Sequence, residues 1–234
     1  MALGRYIITI LLLHISVPCW AQQSDGADKA KAALRQMHNY IREAKELEFT
    51  TRFRAVDKVL GQNATGSVHY MVRQPNLLRV TAKLPSGTVV VVSDGTTLTI
   101  HEPNKRRYRE FEAKDSAVGS LYIAAGLLGT QTRLIDFFWS IDYLSVDRTG
   151  GRIGTLDTKT FGSKTCDGFR VQRDLEFWDV WLERSSARLP CYVVSKTTDG
   201  SASMTQTNEL TWKSNPQFKE DTFRFVAPSG HKKE

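Results

Sequence analysis

The chain has 234 residues, of which 41% are apolar and 10% aromatic, and it carries a net charge of +7. This length is enough for one sizeable β domain after processing. A basic protein favours anionic surfaces such as phospholipid headgroups. The Lys and Arg residues are mostly spread along the chain and form no aromatic-and-basic stripe of the kind found in nucleic-acid-binding modules. We therefore exclude a nucleic-acid partner and retain an anionic membrane surface as a partner that the charge allows.

Residues 1–21 are typical of a secretory signal peptide. Arg5 supplies a positive start, residues 6–17 an apolar run, and Cys19 and Ala21 small side chains at the two positions that determine cleavage. Cleavage after Ala21 leaves residues 22–234 as the exported protein. Lipoprotein processing at Cys19 is the alternative, but the proline before it and the tryptophan after it fit that poorly. We expect a soluble exported protein.

The rest of the chain begins with one predicted helix and continues with short strands. Ser24 or Asp25 can cap a helix whose inner face is Leu34, Met37, Ile41 and Ala44. Alternating apolar and polar residues then predict strands, with 61–66 as a loop between the first two. These strands are 47–55, 67–72, 77–83, 89–92, 97–101, 107–111, 153–161, 164–173, 176–183, 189–196 and 204–212. About eleven strands joined by turns predict a mainly β (α+β) single domain, an incomplete antiparallel barrel.

Residues 116–144 interrupt the strand pattern. Apolar residues recur at helical spacing from Ala117 to Leu128, and a second helical run with Thr132 as its N-cap contains Phe138. The stretch without charges is too short and too rich in Gly, Ser and Thr for a membrane span. Two interpretations fit this insert: an ordinary pair of core helices packed on the sheet, or a lid over an apolar cavity.

Two cysteines remain after cleavage, Cys166 and Cys191, in an oxidising compartment. Each lies near the start of a predicted strand, with one further strand between them. If these three strands form a meander, the cysteines are two strands apart, about 9.6 Å, which is beyond the ~7 Å limit for bonded Cα atoms. A disulfide then requires the chain to draw together just past the sheet edge, and the sequence leaves that question open.

No pattern typical of catalysis or of metal binding occurs in the chain. The histidines lack HExxH or CxxCH spacing, and there is no G-x-S-x-G elbow, phosphate-cradling glycine loop or C-x-x-C pair. We therefore expect no enzyme activity and no cofactor.

Five blocks together resemble a family of predicted periplasmic proteins in the superfamily of the outer-membrane lipoprotein carriers LolA and LolB. The blocks, in order, are VRQPNLLRV (72–80), VSDGTTLTIHEPNKRRYREF (92–111), KTCDGFRVQ (164–172), WDVWLERSSARLPCYVVSKT (178–197) and WKSNPQFKEDTFRFVAPSGHKK (212–233). The resemblance covers the chain from about residue 25 to the end. It implies a periplasmic protein with a strongly curved, incomplete barrel and a helical lid over an apolar cavity. Carriers of that superfamily hold lipoprotein acyl chains in such a cavity.

Together, the resemblance and the helical insert imply an apolar site. In 176–183, alternation places Trp178, Val180 and Leu182 on one face, which we expect to be the concave face. The full set of candidate cavity or lid residues is Phe49, Phe53, Tyr70, Leu121, Leu128, Phe137, Phe138, Trp139, Phe169, Trp178, Val180 and Leu182.

Two functions follow from this site. The first is a binder or carrier of a lipid, a lipoprotein or another long apolar ligand. The alternative is an envelope sensor or protein-interaction module on the same fold.

Overall fold

The computed structural model describes residues 20–57, 61–128, 133–139, 151–199 and 202–234. Most of the expected signal peptide and the expected N-cap Thr132 lie outside these ranges. The described part contains three α-helices: α1 (Trp20–Glu43), α2 (Ala117–Leu128) and α3 (Arg133–Trp139). The insert therefore contributes two helices, at the positions where apolar residues recur at helical spacing. Short 3₁₀ turns occupy Pro103–Lys105 and Glu220–Phe223.

The strands form one sheet of 12. They are β1 (Glu46–Asp57), β2 (Gln62–Arg73), β3 (Leu77–Leu84), β4 (Gly87–Asp94), β5 (Thr97–Glu102), β6 (Arg107–Glu112), β7 (Arg152–Phe161), β8 (Lys164–Arg173), β9 (Glu176–Glu183), β10 (Pro190–Asp199), β11 (Ala202–Trp212) and β12 (Lys232–Lys233). Their spatial order is β12-β6-β5-β4-β3-β2-β1-β11-β10-β9-β8-β7. Within the described residues the two end strands do not pair with each other. The mainly β, incomplete barrel predicted from the sequence is confirmed.

β1 joins the two halves of the sheet. It pairs with β2 on one side and with β11 on the other, both antiparallel. Phe49 of β1 therefore lies between Tyr70 of β2 and Trp212 of β11 in the register. Because alternate strand residues point to the same face, this register places three large rings side by side on one face of the sheet.

Two boundaries differ from the prediction by the largest number of residues. β2 begins at Gln62, not at residue 67, since the polar stretch predicted as a loop pairs with the far end of β1. Gly66 is required there: a Cβ would lie 2.7 Å from the carbonyl oxygen of Lys83. α1 begins at Trp20, before the proposed caps Ser24 and Asp25.

The twelfth strand was not predicted. β12 is only two residues long and is entirely lysine, so no apolar alternation marks it. It exists because the chain end returns to the sheet edge and pairs in parallel with β6, Lys232 opposite Arg107 and Lys233 opposite Tyr108.

The concave face of the sheet and the three helices enclose the main hydrophobic core. α1 contributes the fully buried Leu34, Met37 and Ile41, as its 3–4 spacing predicts. α2 contributes Leu121 and Ala124. The sheet contributes inward residues from nearly every strand, for example Leu47, Val72, Leu78, Val91, Ile100, Val171, Val193 and Leu210.

On the convex side of β3–β5, the C-terminal tail (residues 213–234) packs against the sheet. Phe223 is buried, and Arg79 donates to the Thr222 carbonyl at 3.2 Å. Near the chain end, His231 lies 2.8 Å from His101 of β5 between ring nitrogens. The tail therefore covers the outer face of the first half of the sheet.

The convex side of β7–β10 carries a separate group of side chains, here called the outer cluster: Cys166, Cys191, Trp181, Phe161 and Tyr192. The two cysteines form a disulfide with a Cα–Cα distance of 6.7 Å. This is shorter than the two-strand spacing because β9 ends opposite Cys166, and the β9–β10 register shifts beside Cys191. The chain does draw together past the end of the middle strand.

Charged side chains also connect β7, β8, β9 and the turn after β9. The Lys159 ammonium lies 4.2 Å from the centre of the Trp181 ring. Asp167 accepts hydrogen bonds from Arg184 at 2.8 Å and Arg188 at 2.9 Å. Burial acts to raise the pKa of Asp167, but the two guanidinium groups outweigh it and lower that pKa to about 2.

Candidate ligand-binding site

An aromatic layer lies in the middle of the concave face. The ring of Phe49 stacks on Tyr70 at 4.6 Å and on Trp212 at 4.4 Å between centroids. These contacts follow directly from the register of β1 with β2 and β11. Burial raises the pKa of the Tyr70 hydroxyl, so this group is neutral at any physiological pH.

α3 lies over this layer and inserts two neighbouring rings into it. Phe138 meets Phe49 edge-on, with centroids 5.9 Å apart, and Phe137 stacks on Trp178 at 4.8 Å. Consecutive helix residues point about 100° apart, so the two rings reach different strands. We call Phe49, Trp178, Trp212, Phe137 and Phe138 the inner cluster.

Most of the residues proposed for a cavity or lid converge on this interior. Phe137 and Phe138 are completely buried, whereas Trp139, the last residue of α3, is half-buried at its border. Phe53 is also half-buried, beside Gly66 at the far end of β1. The other proposed residues with described side chains are buried: Phe49, Tyr70, Leu121, Phe169, Trp178, Val180 and Leu182. The side chain of Leu128 lies outside the described residues.

These residues fill the interior with their own side chains. Two grooves among the described residues lie elsewhere. One, of about 850 Å³, lies beside the end of α1 and is lined by polar groups such as Glu43, Lys45 and Arg73. The other, of about 380 Å³, lies between the start of α1 and β7. Neither groove is lined by a proposed site residue. Because Phe137 and Phe138 are completely buried in the inner cluster, a ligand can take their place only if α3 or its rings move.

Sequence reasoning did not identify His38, which holds α3 in place. Its imidazole is buried on the inner face of α1, and Nδ1 lies 2.9 Å from the carbonyl oxygen of Phe138. His38 lies four residues after Leu34 and three before Ile41, a spacing that places it on the apolar face of α1. This spacing is the signal in the sequence that could have identified it. Burial lowers the pKa of His38 more than the bond to Phe138 raises it, and the charge of Arg42 lowers it further.

Side-chain contacts also connect α3 to α2 and to the sheet. The Tyr122 hydroxyl of α2 donates to Asp136, and Arg133 donates to the Thr197 hydroxyl of β10. α3 is therefore held by its two buried rings, the His38 bond and a few polar contacts at its surface.

Beyond Phe49 on β1, the concave face carries more polar side chains. Thr51 donates to the side-chain carbonyl of Asn208 at 3.3 Å, and Gln206 donates to the same oxygen at 3.2 Å. Ser195 is also buried there, opposite Trp178 in the register. The interior thus has an aromatic part under α3 and a polar part beside it.

Two further features of the described residues bear on function. No set of His, Cys, Asp and Glu side chains among them is arranged to hold a metal ion. No helix in the described ranges is long and apolar enough to cross a membrane.

Three solved structures are similar to this chain at low sequence identity. The Mycobacterium tuberculosis lipoprotein LppX gives a TM-score of 0.50 at 13% identity, over 82% of this chain and 98% of LppX. A chain of the Pseudomonas aeruginosa MucA/MucB complex gives 0.48 at 15% identity, over 85% of this chain and 62% of that chain. A LolA superfamily protein from Nitrosomonas europaea gives 0.41 at 6% identity, over 84% of this chain and 97% of its own. These likenesses concern the fold alone.

The sequence itself identifies the family. No curated protein matches this sequence. The model of the family described as "Predicted periplasmic protein (DUF2092)" matches residues 30–233, which is nearly all of the chain after the expected signal peptide. The match confirms the resemblance found in the five blocks and the expected location. The chain belongs to the DUF2092 family of periplasmic proteins.

Proposed function

We propose that this protein is a periplasmic binder or carrier of a hydrophobic ligand, with α3 as the lid of the binding site. The observation that carries the proposal is the placement of Phe137 and Phe138. A seven-residue helix inserts two fully buried rings into an aromatic layer of the concave face. The rings occupy the space that an acyl chain would take.

The free energies favour an exchange of these rings for a long chain. Burying a Phe side chain contributes about 1.5–3 kcal/mol, so withdrawing two rings costs roughly 3–6 kcal/mol. A sixteen-carbon chain that is fully buried along the concave face, partly in the space of these rings, gains about 12 kcal/mol, at about 0.8 kcal/mol per CH₂. Ordering the chain consumes part of that difference, but several kcal/mol remain. Loading therefore needs no covalent step and no energy source.

The family resemblance supports the same function. Carriers of the LolA-like superfamily hold acyl chains in an apolar cavity under a helical lid, and α2 and α3 occupy the position of such a lid here. Fold alone does not decide function, so the proposal depends on the contacts of α3 described above.

The proposal is tested by uptake of the neutral fluorescent probe N-phenyl-1-naphthylamine by protein stripped of lipid. We expect saturable uptake by the wild type. Trp139→Ser, at the border of the lid, should weaken uptake roughly 3- to 10-fold, equivalent to about 0.7–1.4 kcal/mol. The matched control is Leu175→Ser, which removes an exposed leucine in the turn between β8 and β9 and should leave uptake unchanged. A wild type that takes up no apolar probe would contradict the carrier function.

One observation favours the alternative function of an interaction module. β7 ends the sheet, so within the described residues its outer edge has no strand partner. An extended segment of another protein can add to such an edge. Native mass spectrometry of protein purified from its own envelope separates the two functions: co-purified lipid supports the carrier, and a stoichiometric protein partner supports the module.

A further inference from the structure

The two ring nitrogens of His38 have different surroundings. Nδ1 bonds to the carbonyl oxygen of Phe138, whereas Nε2 is fully enclosed and has no hydrogen-bond partner among the described residues. His38 as a whole is 1% exposed. Buried polar atoms in proteins nearly always have a partner, so an orphaned one calls for an explanation.

The bond to Phe138 determines the chemistry of the other nitrogen. A carbonyl oxygen can only accept a hydrogen bond, so Nδ1 carries the proton. In a neutral imidazole, Nε2 is then an acceptor with a free lone pair. The neutral form is the stable one here because burial opposes the charged ring. The interior therefore contains one unused hydrogen-bond acceptor.

This acceptor lies beside the space proposed for the ligand. The ring of Phe137 lies 6.0 Å from the imidazole and 4.8 Å from Trp178, between centroids. A chain lying on Trp178 in place of the Phe137 ring would bring its end within reach of Nε2. No described donor competes for that position.

We propose that His38 Nε2 accepts a hydrogen bond from the head group of the ligand, so that the site selects long apolar chains that end in an O–H or N–H donor. The inference rests on the proposed function, since it places the ligand in the space of the Phe137 ring, with that ring rotated aside while the Phe138 carbonyl keeps its bond to His38. Chains that end in an ether or ester leave the acceptor unpaired and bind less tightly, because an unpaired buried acceptor keeps its desolvation penalty.

The test compares two isomers, one with a donor and one without it: 1-dodecanol and the ether 1-methoxyundecane. Each is titrated against wild-type protein loaded with N-phenyl-1-naphthylamine, and the concentration for half-displacement is measured. We expect the alcohol to displace the probe at roughly one-tenth the concentration of the ether, the effect of about 1.4 kcal/mol.

Two variants then identify the nitrogen responsible. The amide of Asn reaches about as far as Nδ1, so His38→Asn keeps a donor for Phe138 and removes the acceptor. The amide of Gln reaches about as far as Nε2, so His38→Gln restores an acceptor there. The alcohol-to-ether ratio should fall to about 1 in His38→Asn and stay well above 1 in His38→Gln. Because the alcohol-to-ether ratio compares two ligands on the same variant, a general loss of binding or stability in that variant affects both ligands and leaves the ratio unchanged.

The outcomes separate this inference from the function on which it rests. If the wild type binds the probe and both ligands displace it equally, the anchor role of His38 is wrong while the carrier function stands. A ratio that persists in His38→Asn also overturns the anchor role. If the wild type binds neither probe nor ligand, both proposals fail.

Discussion

The inner and outer clusters lie on opposite faces of the same sheet and meet at β9, yet they are held together in different ways. On β9, Trp178 faces inward and is covered by Phe137 of α3, whereas Trp181 faces outward and is held by Lys159 and the Asp157 carbonyl. A disulfide lies beside the outer ring. The outer cluster is therefore fastened within the sheet, and the inner one is completed by a separate short helix. Movement of that helix exposes the inner cluster, whereas exposing the outer cluster requires the sheet to unfold.

The largest expected effect is the loss of Trp178. Trp178→Ala should lower the free energy of unfolding by about 3–5 kcal/mol, because it removes a buried ring from the middle of the inner cluster. Urea denaturation followed by circular dichroism measures this. Trp178→Phe, which keeps a ring stacked on Phe137, should cost clearly less. A loss below about 0.5 kcal/mol for the alanine variant would show that Trp178 does not support the core.

The disulfide should stabilise the outer cluster without affecting the ligand site. The bond joins residues 25 positions apart, so Cys166→Ala with Cys191→Ala should cost about 3–4 kcal/mol by the chain-entropy estimate. Wild-type protein in reductant should lose a similar amount. Uptake of N-phenyl-1-naphthylamine under native conditions should not change. If uptake falls along with stability, the two clusters are coupled and the contrast drawn between them is wrong.

A smaller effect is expected at Asp167. Asp167→Asn should cost on the order of 1–2 kcal/mol, because Arg184 and Arg188 lose a charged acceptor. In the wild type the folded-state pKa is lowered to about 2. The carboxylate therefore stabilises the fold fully above its ordinary pKa near 3.8, and this contribution disappears as the pH falls through about 2. The variant should lack that acid-dependent loss in a titration of unfolding free energy.

The smallest effect concerns His38 and appears at milder pH. Its pKa is lowered in the folded protein, so the unfolded chain binds a proton more readily. The contribution of neutral His38 to the free energy of unfolding should therefore be fully present above pH 6.5, and it should decrease as the pH falls below that value. His38→Asn should flatten this slope, whereas the Asp167 variant should retain it. An identical slope in His38→Asn would show that other groups cause the loss.

Local pattern was sufficient to predict most of the fold. Strict alternation at the start of β1, and helical spacing in α1 and α2, mark elements whose inward face is apolar. Elements held by strand pairing rather than by apolar alternation were missed. The start of β2 is polar and contains glycine, and β12 consists of two lysines. Neither carries a periodic signal, because its partner strand, not its own side chains, holds it in the sheet.

The residues of the candidate site could be named from the sequence, but their contacts with one another could not. The aromatic residues of the insert and of β9 can be recognised as apolar, and they do meet in the interior. Their contacts depend on the register of β1 with β11 and on where α3 lies, which no local pattern encodes. His38 shows the same limit: its place on an apolar helix face can be read from the sequence, but its bond to Phe138, 100 residues away, cannot.

The pairing of β1 with β11 also determines when the protein can fold during export. β1 enters the periplasm early, but the strand that covers its second edge is among the last segments to follow. Until then, one edge of β1 and the ring of Phe49 face solvent, an arrangement prone to wrong pairing with other chains. Closing so long a loop is entropically costly and slow. Folding in the periplasm should therefore be post-translocational, and the half-exported chain should be the form that most needs a chaperone.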